Sequence, residues 1–214
     1  MKKKIVLSLL LVLITWIIMD LLRPVHKDIR QFDPQLVARL DTEMWRSYYD
    51  KKALKLFLQL GELLRKQFNI PFWRSQVIAF HAARAAFVFK KGKERAAYEK
   101  ALPSLKKYYT ALQKISTTKF DIQEAARLEL EWWIVHRQRA QQQEGNLEKA
   151  LAESAAVIYQ IHPEKLQTYA RYRTEAMDIR DEQARGDGVS EAEWKQIAGL
   201  LDQCWEALYR SVNK

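Results

Sequence analysis

The stretch "SEAEWKQIAGLLDQCWEALY", residues 190–209, contains both signals that decide the fold. Ser190 and Glu193 form a capping-box pair. In such a pair the hydroxyl accepts an orphan amide of the first helical turn and the glutamate returns to the cap's own amide. Behind it Trp194, Ile197, Leu201, Cys204, Trp205 and Leu208 recur three or four residues apart. That spacing places all six on one face of a helix. A helix with one apolar face needs other elements to cover it, so the stretch predicts a multi-helix domain.

The same signals recur towards the N-terminus, and runs with a two-residue period are nearly absent. "FDPQL" puts Asp33 at an N-cap and Pro34 at the first helical position. That helix runs to about residue 68, with a shift of apolar phase near Asp50 that predicts a bend or restart. "NIPFW" offers Asn69 as a cap for a second helix, which stops at Gly92. A third covers 93–115, with Pro103 bending or dividing it. Asp121 caps a fourth, 122–143, and Asn146 a fifth, 147–161. Pro163 opens a sixth that ends before Gly186, and Ser190 opens the seventh. Short connections make successive helices neighbours. The fold class is all-α: a bundle or stacked helical hairpins of about seven helices, preceded by one apolar segment.

That segment, "MKKKIVLSLLLVLITWIIMDLL", has three lysines and then an uncharged run, residues 5–19. As a helix those 15 residues span about 22 Å, short of a hydrocarbon core of about 30 Å, and extension to Leu22 approaches it. Residues 16–20 offer none of the small side chains that a signal-peptidase site needs, so an uncleaved anchor is expected over 1–22. Residues 23–31 then form a connector and 32–214 the all-α domain. Lys2, Lys3 and Lys4 favour an inner N-terminus, which places the domain outside the cytoplasm.

Net charge is +10, from 36 Lys and Arg against 26 Asp and Glu. The basic residues are spread over many helices and interleaved with acids, with no zinc-finger spacing, RNP-like motif or long basic arm. Nucleic acid is therefore not an expected partner; the bilayer, through residues 5–22, and a protein are. One cysteine, Cys204, excludes an intrachain disulfide. Its place on an apolar stripe predicts a buried thiol.

Polar residues within apolar sectors mark the candidate site. Glu129 and His136 fall about 20° apart on the fourth helix, between Trp132 and Trp133, and about 10.5 Å apart along the axis. Arg84, with His81 nearby, lies amid Trp73, Val77, Phe80 and Phe87. Arg173 and Arg180 share a sector with Leu166, Tyr169, Ala176 and Met177. Glu43 borders Leu36 and Leu40, and Tyr48 is near Met44. Buried charges need partners, so Glu129 and Glu43 are expected to meet Arg84, Arg173 or Arg180 between helices.

Three chemistries fit this set. The first is a buried ion-pair network that fixes helix register. The second is an interhelical pocket for a small anionic or amphipathic ligand. The third, a carboxylate–histidine metal centre of Glu43, His81, Glu129 and His136, lacks the Glu-x-x-His spacing of di-iron bundles. Gly-x-Ser-x-Gly, P-loop and dinucleotide glycine motifs are absent. No cofactor is indicated, and an enzyme has no motif in its favour. The expectation is a membrane-anchored binding or scaffold protein, with a ligand carrier or enzyme built on the Glu/His/Arg set as the alternative. Trp45 and Tyr49, outside the main stripe of their helix, suit a second interhelical contact or a partner surface.

Overall fold

The computed structural model describes residues 2–141, 143–183 and 188–214. Among them are nine helices of at least 14 residues, one short α-helix and three 3₁₀ turns. The first, α1 (Lys2–Leu22), is apolar, long enough to cross a membrane, and has no buried residue. The domain follows as α2 (Pro34–Tyr49), α3 (Ala53–Gln67), α4 (Phe72–Lys91), the short α5 (Arg95–Tyr98) and α6 (Leu102–Ile115). It continues with α7 (Ile122–Arg137), α8 (Asn146–Tyr159), α9 (Gln167–Gln183) and α10 (Glu191–Val212).

Several caps match the residues that predict them. Asp33 accepts from the Leu36 amide, and Asp121 from those of Gln123 and Glu124. Ser190 and Glu193 form the reciprocal box. All six stripe residues of α10 are buried.

Other boundaries differ. The phase shift near Asp50 is a break between two helices, made at Lys51, whose φ of 58° turns the chain through the left-handed region. Pro103 does not bend a long helix. It lies in the first turn of α6, where its missing amide costs no hydrogen bond, and a 3₁₀ turn (Glu99–Ala101) separates α6 from α5. The fourth predicted helix ends early, at Arg137, before a 3₁₀ turn (Arg139–Gln141). Gly145, with φ of 83°, occupies the N-cap of α8, and Asn146 is its first helical residue. Asn69 does not cap α4; Pro71 stands at that N-cap, and the Asn69 side chain donates from Nδ2 to the Gln31 carbonyl. The expected end of α9 before Gly186 lies outside the described residues.

Each long helix of the domain packs on the next in sequence, and α10 returns to pack on α2 as well as on α9. The domain therefore closes on itself, around a core that includes Val37, Ile78, Leu105, Tyr109, Leu112, Leu166, Ile197 and Leu201. Trp45 is buried in that core, and Tyr49 packs against it beside Trp194. Both fill interhelical space.

The connector is threaded into the domain. The Lys27 amide donates to the Ile115 carbonyl and the Thr117 amide to the Lys27 carbonyl. Ile29 is buried. Arg30 donates to the Tyr159 carbonyl at 2.7 Å, and Asn213 donates to the Arg30 carbonyl at 2.9 Å. Residues 23–31 thus hold α1 to the domain through several contacts rather than as a free tether.

Candidate functional site

The residues singled out by helical phase do not assemble into one site. They divide among three buried or half-buried polar clusters and an outer face.

Glu129, on α7, meets no arginine among the described residues. Its carboxylate accepts from the Tyr109 hydroxyl on α6 (3.0 Å), from Trp133 Nε1 one turn on (3.0 Å), and from the Ser154 hydroxyl on α8 (3.1 Å). Three neutral donors from three helices take the place of the expected guanidinium. Burial and the neighbouring Glu129 charge raise the Tyr109 pKa well above the ordinary phenol value, so the hydroxyl stays a donor.

His136 belongs to a separate cluster at the end of α7. Its Nε2 lies 3.0 Å from Asp181 Oδ2, and Arg180 Nη1 donates to Asp181 Oδ1 at 3.0 Å. Arg139 pairs with Asp178 and approaches Asp181. The Arg180 guanidinium sits 3.4 Å from the ring centre of Tyr49. Burial by itself would raise the Asp181 pKa. The hydrogen bonds and charges of His136 and Arg180 outweigh it and hold the carboxyl below its ordinary value. Burial pushes the Tyr49 hydroxyl up to about 12.

The third cluster involves a residue that helical phase did not single out. Asp41, 0% exposed on α2, accepts from Arg173 Nη1 at 2.8 Å and from Trp205 Nε1 at 2.9 Å. Arg173, its side chain 13% exposed, lies over the rings of Trp45 and Trp205. Burial disfavours the Arg173 charge, but the facing Asp41 carboxylate more than offsets this and raises the guanidinium pKa. Asp41 is four residues from Val37 and from Trp45, so the spacing contained a signal. Glu43, weighed in its stead, is exposed.

Tyr48 is 48% exposed and stacks edge-on against Tyr49. Arg84 is exposed, on an outward stripe of α4 with Val77, Phe80 and Phe87. That stripe is apolar yet faces away from the core, so Arg84 has solvent rather than a buried carboxylate beside it. His81 borders the same stripe, with its pKa lowered first by burial and then by Lys107 and Arg84. Glu43, His81, Glu129 and His136 thus do not converge. Among the described residues no three His, Cys, Asp or Glu side chains form a group that could hold a metal.

A shallow groove of about 540 Å³ between α7 and α8, lined in part by Glu124, Arg127, Glu153 and His162, contains none of the predicted site residues. A second, of about 300 Å³, lies between α1 and α4, against Ile17, Leu21, Trp73, Gln76, Val77, Phe80 and His81. The seam beside it is built by Asp20, the one acid in the apolar segment. Its carboxylate accepts from the Trp73 amide at 3.1 Å and its carbonyl from Arg74 Nε at 2.7 Å. Pro71 gives α4 no side-chain cap, so Asp20 supplies that acceptor from another helix. Trp16 stacks on Phe72 (5.9 Å) and meets Trp73 edge-on (5.4 Å).

No protein-family model, curated protein or solved structure matches the chain.

Proposed function

We propose that the protein is a single-pass, membrane-anchored helical scaffold whose domain stands outside the cytoplasm and binds a protein partner. One observation carries the reading: α1 is uncharged and apolar over residues 5–19, yet none of its residues falls in the buried core. Its apolar part, residues 5–22, extends for about 27 Å and approaches a hydrocarbon core of about 30 Å. A helix of that composition left in water is a large exposed apolar surface, and a bilayer covers it. Lys2, Lys3 and Lys4 then hold the N-terminus on the cytoplasmic side. The polar clusters support a scaffold. Glu129, Asp181 and Asp41 direct their charge to neighbouring helices, as expected of groups that fix helix register.

The test is extraction and topology. Full-length protein expressed in cells is expected to stay with membranes through an alkaline carbonate wash, at its full mass of 25.3 kDa. Protease added outside intact right-side-out vesicles is expected to remove the domain. Release by carbonate, or loss of the first 20 or so residues, overturns the anchor. Protection of the domain places it on the cytoplasmic side and overturns the orientation.

A further inference from the structure

We propose that the outward face of α3 and α4 lies flat on the bilayer that holds α1, so that the domain is docked on the lipid surface. The proposal rests on the anchor reading and adds an orientation to it. Three independent observations lead to it.

The first is apolar exposure. On α4, Phe72, Val77, Phe80 and Phe87 point outward, Phe80 at 52% and Phe87 at 60% exposure; on α3, Leu58 and Leu54 do the same, Leu54 at 75%. Isolated exposed apolar residues are ordinary, but a run on adjoining helices marks a surface that something covers.

The second is charge. The interleaving of acids and bases breaks down in residues 51–91, which hold nine Lys or Arg and one acid, Glu62, and again in residues 100–120, which hold five lysines and no acid. Residues 32–50 and 92–214 together hold 21 basic and 23 acidic residues. The positive charge of the domain is thus concentrated around α3, α4 and α6, which packs on α4, and α4 has no acid of its own. Arg84, Lys90 and Lys91 are exposed, and Lys91 Nζ lies over the Phe87 ring at 4.2 Å. Aromatic side chains interspersed with Lys and Arg suit the boundary between acyl chains and anionic headgroups.

The third is continuity with the anchor. Val77 and Phe80 line the same groove as Ile17 and Leu21, which belong to the apolar helix itself. If Ile17 reaches the hydrocarbon, Phe80 is within a side chain's reach of it. Trp16, Phe72 and Trp73 form an aromatic cluster where interfacial aromatics concentrate. Asp20 and the pinned connector fix the angle between α1 and α4, so the face cannot swing away as it would on a loose tether. An anionic lipid surface therefore fits this face better than an acidic protein does.

The experiment uses the full chain reconstituted in vesicles with increasing anionic lipid content. An environment-sensitive fluorophore is attached at Phe87→Cys or Val77→Cys, and at Lys149→Cys on α8, which α6 and α7 separate from α4. Cys204 is buried, and unmutated protein is the control for labelling there. Circular dichroism checks that each variant keeps its helices. Nitroxides carried at shallow depth in the lipid are expected to quench the α4 labels about twofold or more. Quenching should grow with the anionic fraction, while the Lys149→Cys label responds only to aqueous iodide. Arg84→Glu with Lys90→Glu is expected to reduce the lipid quenching without releasing the protein.

Protein that floats with the vesicles while its α4 labels remain open to iodide overturns the docking and leaves the anchor standing. Labels shielded from both quenchers mean that protein covers the face, and this also overturns docking on lipid. Failure to float overturns the anchor reading and the docking with it.

Discussion

Replacing Asp41 by Asn removes one charge from a pair that the closure of the domain buries. Asp41 is fully enclosed, Arg173 nearly so, and their 2.8 Å contact joins α2 to α9. Asparagine retains an oxygen for the Trp205 indole but cannot neutralise the guanidinium. Arg173 would keep neutral contacts, with Cys204 and the Trp45 and Trp205 rings among them, but no counter-charge. Breaking a buried pair from one side costs about 3–5 kcal/mol, because the remaining charge stays desolvated. For a domain of this size about 1 kcal/mol shifts Tm by about 2–4 °C, so the variant should melt about 6–20 °C lower. Thermal and urea unfolding of the full chain in detergent, followed by far-UV circular dichroism, measure this. Arg173→Met in the same chain is the decisive control. If the cost lies in the orphaned cation, the double variant is more stable than Asp41→Asn alone, with a coupling of about 2 kcal/mol or more. A loss below about 1 kcal/mol for Asp41→Asn, or strict additivity in the double variant, refutes the buried-pair account.

Three further outcomes follow from the other clusters. Asp181 has a folded pKa below its unfolded value, so the unfolded chain takes up that proton first. The stabilisation is present above about pH 4 and is lost as pH falls through the folded pKa; Asp181→Asn should flatten this acid limb, and an unchanged slope contradicts the assignment. Glu129→Gln should cost about 1–3 kcal/mol, since three charge-assisted hydrogen bonds become neutral and no arginine is orphaned; urea unfolding measures it, and a loss above about 4 kcal/mol indicates a cationic partner. Burial pushes the Cys204 thiol up to about 12, so a disulfide reagent at neutral pH should leave it unreacted in native protein and modify it on unfolding; equal rates in both states contradict its burial.

Apolar spacing and the caps at Asp33, Asp121 and Ser190 were read correctly from local sequence because both act within a turn or two of the helix, whereas Asn69 and Asn146 do not cap α4 and α8. Asp33, Asp121 and the Ser190–Glu193 box cap their helices for that reason, and so does the inward stripe of α10. Residue pattern also located α1, whose apolarity depends on no neighbour. The break near Asp50 had no strong marker of its backbone turn. Lys51 enters the left-handed region although lysine has no preference for it.

Partner choice was a different matter. Helical phase placed Glu129, Arg173 and Arg180 within apolar sectors, but phase specifies a direction around one axis and not what lies opposite. The packing of α10 on α2 decided that Arg173 meets Asp41. The approach of α6 and α8 to α7 decided that Glu129 is held by two hydroxyls and an indole. Arg84 shows the same limit: its stripe is apolar by composition, yet it faces outward because the core takes the other side of α4. The helices, the caps at Asp33, Asp121 and Ser190, and the apolar N-terminal segment were legible in the sequence, because these follow from interactions between near neighbours in the chain. Which charges pair and which apolar face remains uncovered were set by the packing of the helices, because both depend on residues brought together from distant parts of the sequence.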